Sequence, residues 1–281
     1  MINIYVGDCL DKLKHIESQS IDTCVTSPPY WGLRDYGEQD QLGLEDTPEE
    51  FVENLVNVFR EVKRVLKDDG TIWLNLGDSY LPNKQLGGIP WRVAFALQQD
   101  GWYLRQDIIW HKPGVMPESC TDRCTKAHEY IFLLSKQAKY YYDNEAIKEK
   151  SKYPNGPNSP QNIKKGVGME GMEIREGLSK IGTIEKRNKR SVWTVATKPF
   201  KEAHFATFPM DLIEPCVLAG CREGGTVLDP FAGSGTTGIV ASMFNRKAIL
   251  IELNKKYVAI METRMEKELG FFVKKRLCNE D

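Results

Sequence analysis

The 281-residue chain has no apolar run approaching the roughly 20 residues that span a bilayer. Its first residues, MINIYVGDCL, lack the basic stretch followed by an apolar one that marks a secretory leader. These absences predict a soluble, cytoplasmic protein. Cysteine is sparse: the seven thiols are irregularly spaced and odd in number, which argues against a disulfide framework and fits a reducing compartment. Net charge is nearly absent at −1, so any surface for a polyanion must be local. There is no internal repeat at a fixed period, and no GK[ST] follows the one glycine-rich turn, which excludes a P-loop.

What is present points to one α/β domain carrying an insertion, for which 41% hydrophobic content is sufficient. Short β-branched or aromatic runs predict strands at Asn3 to Val6, Ile21 to Thr26, Thr71 to Leu76, Gln106 to Trp110, Glu129 to Leu134, Thr226 to Leu228 and Lys247 to Ile251. Helices are expected at Asp8 to Ile16, Ile89 to Gln99, Pro209 to Ala219, Thr236 to Asn245 and Tyr257 to Leu269. The clearest starts at Thr47, where TPEE supplies an N-cap, Pro48 at the first turn and Glu50 to close a capping box; its apolar stripe runs from Phe51 to Leu66, and Gly70 should stop it. Such alternation implies an open, mostly parallel, doubly wound sheet covered on both faces.

Charge is segregated along this frame. Between residues 145 and 201 there are 13 Lys and Arg against 6 Glu, a net of +7, which leaves −8 for the rest of the chain. The pattern suits a polyanion-binding segment, with a solvated lysine-rich loop as the plainer reading. Within it, residues 151 to 182 are rich in Gly, Pro and Asn and show neither periodicity, as expected of loops.

After the strand ending at Leu228 comes Asp229-Pro-Phe-Ala-Gly-Ser-Gly-Thr-Thr-Gly238. Gly233, Gly235 and Gly238 satisfy GxGxxG, and Glu252 lies 19 residues beyond Gly233, placed to accept from ribose hydroxyls. That spacing fits a nicotinamide dinucleotide as well as S-adenosylmethionine. Asp229 separates them: its carboxylate would repel a pyrophosphate, whereas S-adenosylmethionine carries no phosphate and offers an ammonium group.

Thr26-Ser-Pro-Pro-Tyr-Trp31 ends an earlier strand, and two successive prolines force the chain out of the sheet at a carboxyl end, where open α/β folds bind ligands. A rigid proline turn capped by an aromatic would explain these residues structurally. Chemically, the Ser27 hydroxyl and the Pro28 carbonyl can accept the protons of an exocyclic amine and hold its lone pair for direct attack on a sulfonium methyl. Unstacking a base costs a few kcal/mol, and stacking on Tyr30 returns roughly 1–3 kcal/mol.

TSPPYW followed by GLRDYG, together with DPFAGSG, resembles the DNA amino-methyltransferases of restriction-modification systems and phages. The catalytic motif precedes the cofactor motif, as in their permuted β class. GDCLDKL, TIWLNLGDSY, DIIWHKPG and HEYIFLLSKQAKYYYD match further segments of that group.

The resemblance implies Ser27, Pro28, Pro29 and Tyr30 as catalytic residues. It implies Asp229, Phe231, Gly233, Ser234, Gly235, Thr236 and Glu252 at S-adenosylmethionine, with Phe208 and Pro209 closing over it, Asp8 near its adenine and Asp78 as a further active-site candidate. Residues 1–144 then form the catalytic half, 145–201 a basic target-recognition insertion and 202–281 the cofactor half. Expected DNA contacts are Trp31, Arg34, Tyr36, Lys186, Arg187, Lys189 and Arg190. Serine at the head of the tetrad points to cytosine N4, with adenine N6 as the alternative. Double-stranded DNA is the expected partner of a monomer or homodimer, alongside a companion restriction endonuclease.

Rival readings have their own residues. A carbon-5 cytosine enzyme needs a cysteine nucleophile, but Cys216 falls in an apolar helix; Cys120, Cys124 and His128 lack an evident fourth zinc ligand, so no metal is expected. A nicotinamide-dependent oxidoreductase shares the glycine turn. A non-catalytic DNA-binding protein would not need Ser27, Tyr30, Asp229 and Glu252 together. An RNA or protein-amide methyltransferase could use the same proline turn without the basic insertion.

Overall fold

The computed structural model describes residues 1–33, 35, 37–38, 41–151, 185–197, 208–270 and 274–278. The chain divides into two compact units, Met1–Tyr142 with Ser191–Asp281, and Asp143–Arg190. In chain order the described elements begin with β1 (Ile2–Val6), α1 (Cys9–Lys14), β2 (Ile21–Thr26), α2 (Pro48–Val65), β3 (Leu66–Leu76) and α3 (Ile89–Gln99). They continue with β4 (Tyr103–His111), β5 (His128–Ser135), β6 (Glu149–Lys150), β7 (Lys186–Arg187) and β8 (Val192–Thr194). The last are α4 (Met210–Gly220), β9 (Thr226–Asp229), α5 (Thr236–Met243), β10 (Lys247–Glu252), α6 (Lys255–Leu269) and β11 (Lys275–Cys278).

Helix α2 shows how local chemistry sets an element. Thr47 Oγ1 accepts from the Glu50 amide at 3.2 Å while Glu50 Oε2 accepts from the Thr47 amide at 3.3 Å, so both halves of the capping box form around Pro48. Phe51, Leu55, Val58, Phe59 and Val62 face inward and are buried. The helix does not run on to Gly70 as its stripe suggests. Leu66 turns to an extended conformation (φ −68°, ψ 139°) and pairs with Ile21, so sheet pairing takes over from helical periodicity and Gly70 lies inside β3. A side chain at Gly70 would meet the Lys67 carbonyl oxygen at 2.9 Å, which explains the glycine there.

The larger unit is built on a sheet in the order β11-β1-β10-β9-β2-β3-β5-β4-β8. Only the β3–β5 and β4–β5 pairings are antiparallel. The fully buried strand β2 sits between β9 and β3, and the apolar stripe of α2 packs into the same core as Ile72, Leu74 and Phe132. Because β1, β10, β9, β2 and β3 are parallel, their carboxyl ends share one edge. The reversed strand β5 delivers its amino-terminal residues His128 and Glu129 to that edge, opposite Trp110 and His111 at the end of β4. The site is laid out along this edge.

Val192–Thr194, inside the segment expected to be an insertion, extends the sheet beside β4, with Ile109 opposite Val192. The smaller unit contains an antiparallel ladder pairing Glu149 with Arg187 and Lys150 with Lys186. The glycine- and proline-rich stretch 152–184 lies outside the described residues, as do Arg34 and Tyr36. Among the described residues no helix is long and apolar enough to cross a membrane.

Replacing Thr47 with alanine removes the acceptor half of the capping box and should lower the unfolding free energy by about 1 kcal/mol. Urea denaturation reads this directly; an unchanged midpoint would show that tertiary packing alone sets the start of α2.

Candidate active site

The two expected motifs, far apart in sequence, meet at the centre of the sheet. The β2–β9 ladder pairs Thr23 with Val227 and Cys24 with Leu228, and beyond it side chains make the join. Thr26 Oγ1 donates to Asp229 Oδ1 at 2.6 Å, Thr237 Oγ1 donates to Asp229 Oδ2 at 2.6 Å, and the Phe231 amide donates to Oδ1 at 3.1 Å. Asp229 is 1% exposed, and burial pushes its carboxyl up to about 6 despite these hydrogen bonds. Where a direct grip on a cofactor ammonium group is expected of Asp229, its carboxylate is here enclosed by hydrogen bonds from within the protein.

The glycine turn has an inner and an outer side. Gly235, the left-handed N-cap of α5 (φ +76°), sits so tightly on α6 that a side chain there would approach Met261 Cγ to 2.4 Å. Gly233 (φ +50°) has no heavy atom within 4 Å of where a Cβ would be, so its outer side is open. The hydroxyls of Ser234 and Thr236 point inward, each accepting from Arg264 Nη1 at 2.7 Å. Both are buried, so what they can offer an expected cofactor is the backbone of the turn. Arg264 lies on α6 beneath the loop, and burial lowers its pKa. Nothing in the periodicity of α6 set it apart from the other basic residues of that helix.

Glu252 ends β10 at the same edge. Its carboxylate accepts from the Gly233 amide at 2.7 Å and the Asn254 amide at 2.9 Å, and burial raises it to about 7. Each oxygen keeps a second lone pair. Asp8, one residue past Gly7 at the end of β1, caps α1 by accepting from the Asp11 amide at 3.1 Å. Phe231 is half-buried against the core, and Pro209 caps α4 with Phe208 just before it.

On the catalytic side Ser27 is half-buried, Pro28 buried, and Pro29 and Tyr30 half-buried. The Tyr30 ring rests on Gly77, where a Cβ would come within 2.4 Å of its Cε2. Its hydroxyl donates to Glu129 Oε2 at 2.8 Å and accepts from Asn75 Nδ2 at 2.5 Å. Asn75 Nδ2 also reaches Ser27 Oγ at 3.3 Å and Glu129 Oε2 at 3.0 Å, while Ser27 Oγ donates to the Tyr30 hydroxyl at 3.4 Å. Lys112 pairs with the other oxygen of Glu129 and lies over the Trp110 ring at 4.3 Å from its centroid. Asn75, Glu129 and Lys112 were not assigned from sequence; they lie in the matching segments NLGD, HEY and WHKP, but only the β3–β5–β4 register shows that they converge. Asp78 accepts from the amides of Ser79 and Ile89, each at 3.0 Å, and so orders the segment after β3.

Trp31 departs from expectation. It is 8% exposed, and its indole donates to the Glu45 carbonyl at 2.9 Å, so it anchors the turn internally rather than facing DNA. In the smaller unit Arg187 and Arg190 both bond Glu149 Oε1, at 2.8 and 2.7 Å. Lys186 is exposed and Lys189 half-buried. Cys216 is buried in α4. Cys120 Sγ lies 3.4 Å from Glu118 Oε2, and His128 Nε2 lies 3.4 Å from the Tyr130 hydroxyl. Among the described residues no three His, Cys, Asp or Glu side chains are grouped to hold a metal.

The raised carboxyl of Asp229 has a measurable consequence. Between about 4, its unfolded value, and about 6 the folded state holds the proton more tightly, so this group's contribution to stability falls as pH rises through that window and is flat above it. Asp229→Asn lacks this dependence. Relative to wild type, the variant should gain up to about 3 kcal/mol between pH 4 and 7, read by urea unfolding at both values; a constant difference would mean that Asp229 is not held in an enclosed site.

The sequence model of the DNA methylase family, of the N6 and N4 type, matches residues 21–263. The Type II methyltransferase M.SmaI of Serratia marcescens is 45% identical over 93% of this chain and 90% of its own length, and M.Cfr9I of Citrobacter freundii is 45% identical over 94% and 88%. Among solved structures, the cytosine-N4-specific PvuII DNA methyltransferase superposes with a TM-score of 0.69 at 22% identity, covering 93% of this chain and 85% of its own. A DNA modification methylase of Thermus thermophilus, TTHA0409, solved with S-adenosyl-L-methionine, superposes with a TM-score of 0.68 at 24% identity, covering 99% and 100%. A match of this extent, over a sheet whose central edge carries both motifs, places the chain in the DNA methylase family.

Proposed function

We propose that this enzyme transfers a methyl group from S-adenosylmethionine to the exocyclic N4 amine of a cytosine turned out of double-stranded DNA. The observation that carries the reading is the hydrogen-bond inventory of Ser27. Its proton is directed to Tyr30 and one lone pair takes the Asn75 amide, so one lone pair remains for an incoming amine proton, at the sheet edge shared with the glycine loop. The Pro28 carbonyl can take the second amine proton, which leaves the nitrogen lone pair directed away from both acceptors. Serine in this place, and the likeness to a cytosine-N4-specific fold, favour cytosine over adenine N6.

The residues present fit the cofactor. The open side of Gly233 admits a ligand against the backbone, and the remaining lone pairs of Glu252 suit a ribose diol. With a carboxyl near 6, Asp229 is mostly ionised at neutral pH, so its field from below favours a cation and opposes the pyrophosphate of a nicotinamide dinucleotide. When bound, S-adenosylmethionine supplies an electrophilic methyl carbon on a sulfonium. Tyr30, fixed at its hydroxyl and packed on Gly77, offers a ring in a set plane for a flipped base. Stacking of this kind returns roughly 1–3 kcal/mol.

In the smaller unit Lys186, Arg187, Lys189 and Arg190 stand close together in a segment of net positive charge, which suits contact with the phosphate backbone. The Type II relatives suggest a companion restriction endonuclease.

Three outcomes test these readings. Labelled methyl groups should enter unmethylated genomic DNA as N4-methylcytosine, identified by nucleoside mass spectrometry. Ser27→Ala should cost on the order of 3 kcal/mol of barrier while cofactor affinity by calorimetry stays near wild type. N6-methyladenine as sole product would reassign the base, and full turnover in Ser27→Ala would remove Ser27 from the chemistry. Replacing Lys186, Arg187, Lys189 and Arg190 with alanine should flatten the salt dependence of DNA binding by about one unit per lost phosphate contact. An unchanged slope would return this segment to an ordinary solvated ladder.

A further inference from the structure

We propose that Glu129 is the proton acceptor of the methyl transfer, reached from the target amine through the hydroxyls of Ser27 and Tyr30. The inference rests on the amine-methylation reading above and adds where the released proton goes.

The direction of the chain follows from Asn75. Its Nδ2 faces three oxygens, Ser27 Oγ at 3.3 Å, the Tyr30 hydroxyl at 2.5 Å and Glu129 Oε2 at 3.0 Å. The reverse amide orientation would set its oxygen against a Glu129 carboxylate oxygen that has no proton to give, so Asn75 presents Nδ2, whose two hydrogens serve the two hydroxyl oxygens. By donating into both hydroxyl oxygens it directs their protons onward, Ser27 Oγ–H to Tyr30 at 3.4 Å and Tyr30 Oη–H to Glu129 at 2.8 Å. The Ser27–Tyr30 link is the longest, as catalytic hydrogen bonds often are before substrate binds. Glu129 ends the relay as a carboxylate whose side chain is 15% exposed and whose charge is held by Lys112.

The groups facing Glu129 are Lys112 from the end of β4, Tyr30 from the turn after β2 and Asn75 from β3, with Lys126 and Asp78 a step further out. Serine alone is a poor base. Behind it, the structure places an anion connected through one more hydroxyl.

The step balances as follows. As the amine nitrogen forms its bond to the methyl carbon, the carbon–sulfur bond breaks and its electron pair stays on sulfur. The amine, now carrying one hydrogen too many, gives a proton to Ser27 Oγ. Ser27 passes its own proton to the Tyr30 oxygen, and Tyr30 passes its proton to Glu129 Oε2. The product amine and both hydroxyls are neutral, and Glu129 is a neutral acid that later loses its proton to solvent.

Glu129→Gln keeps an acceptor for Tyr30 but removes the base. Under single-turnover conditions, with labelled S-adenosylmethionine and unmethylated genomic DNA, its rate should fall about 100-fold. The acid limb of the wild-type rate–pH profile should disappear, while S-adenosylmethionine affinity by calorimetry and the thermal midpoint stay at wild-type values. Tyr30→Phe, which leaves Glu129 and Lys112 in place, should lose the same acid limb. A rate within about twofold of wild type in Glu129→Gln, or a slowed rate with the acid limb intact in either variant, overturns the relay. Failure of the wild-type enzyme to label DNA would instead overturn the reaction itself, so the two failures are distinguishable.

Discussion

Two threonine hydroxyls closing on one buried carboxylate join the proline turn to the glycine turn. Strands β2 and β9 share only two paired positions. Past that short ladder no backbone–backbone hydrogen bond among the described residues joins the proline turn to the glycine turn. Thr26 and Thr237, each 2.6 Å from a different oxygen of Asp229, supply the constraint. Hydrogen bonds to a charged group contribute about 1.5–3 kcal/mol each, enough to offset much of the cost of enclosing the carboxylate. The separation between the catalytic and glycine turns is thus set at the point where the sheet itself stops specifying it.

A common arrangement runs through the site: ionised groups stand one layer behind the surfaces that meet ligands. Asp229 lies under the glycine turn, Arg264 props Ser234 and Thr236 from α6, and Glu129 backs Tyr30. Ser27, Tyr30 and the Gly233 backbone stand in front of them, with the Glu252 carboxyl beside them. A charge held this way acts by field and by orienting protons without a contact that must break as substrate enters. The close fit of Gly235 on Met261 and of Gly77 on Tyr30 serves the same end, since each removes slack between the front layer and its support.

Much of this was legible in the sequence, and the failures are specific. The capping box of α2, the strands carrying both motifs and the placing of Ser27, Asp229 and Glu252 at strand ends follow from periodicity, turn chemistry and the α/β rule, while Asp8 came from the resemblance alone. The end of α2 was misread because Leu66 continues a helical stripe yet is taken by pairing with Ile21, a long-range contact that no local pattern encodes. A motif names residues without saying which way side chains point, and the side chains of Ser234, Thr236 and Trp31 are all buried. Asn75, Glu129 and Lys112 escaped notice because their convergence depends on β5 running antiparallel, a reversal that the alternation of elements does not reveal.

The tie at Asp229 also bears on when the enzyme becomes active during its own synthesis. Thr26 and Asp229 are 203 residues apart, and the first strand waits for β10 as its partner. At about 5–20 residues per second, roughly 10–40 seconds pass between translation of the catalytic turn and of the carboxylate that positions it. Through that interval the nascent chain holds TSPPY without the carboxylate that ties it to the glycine turn.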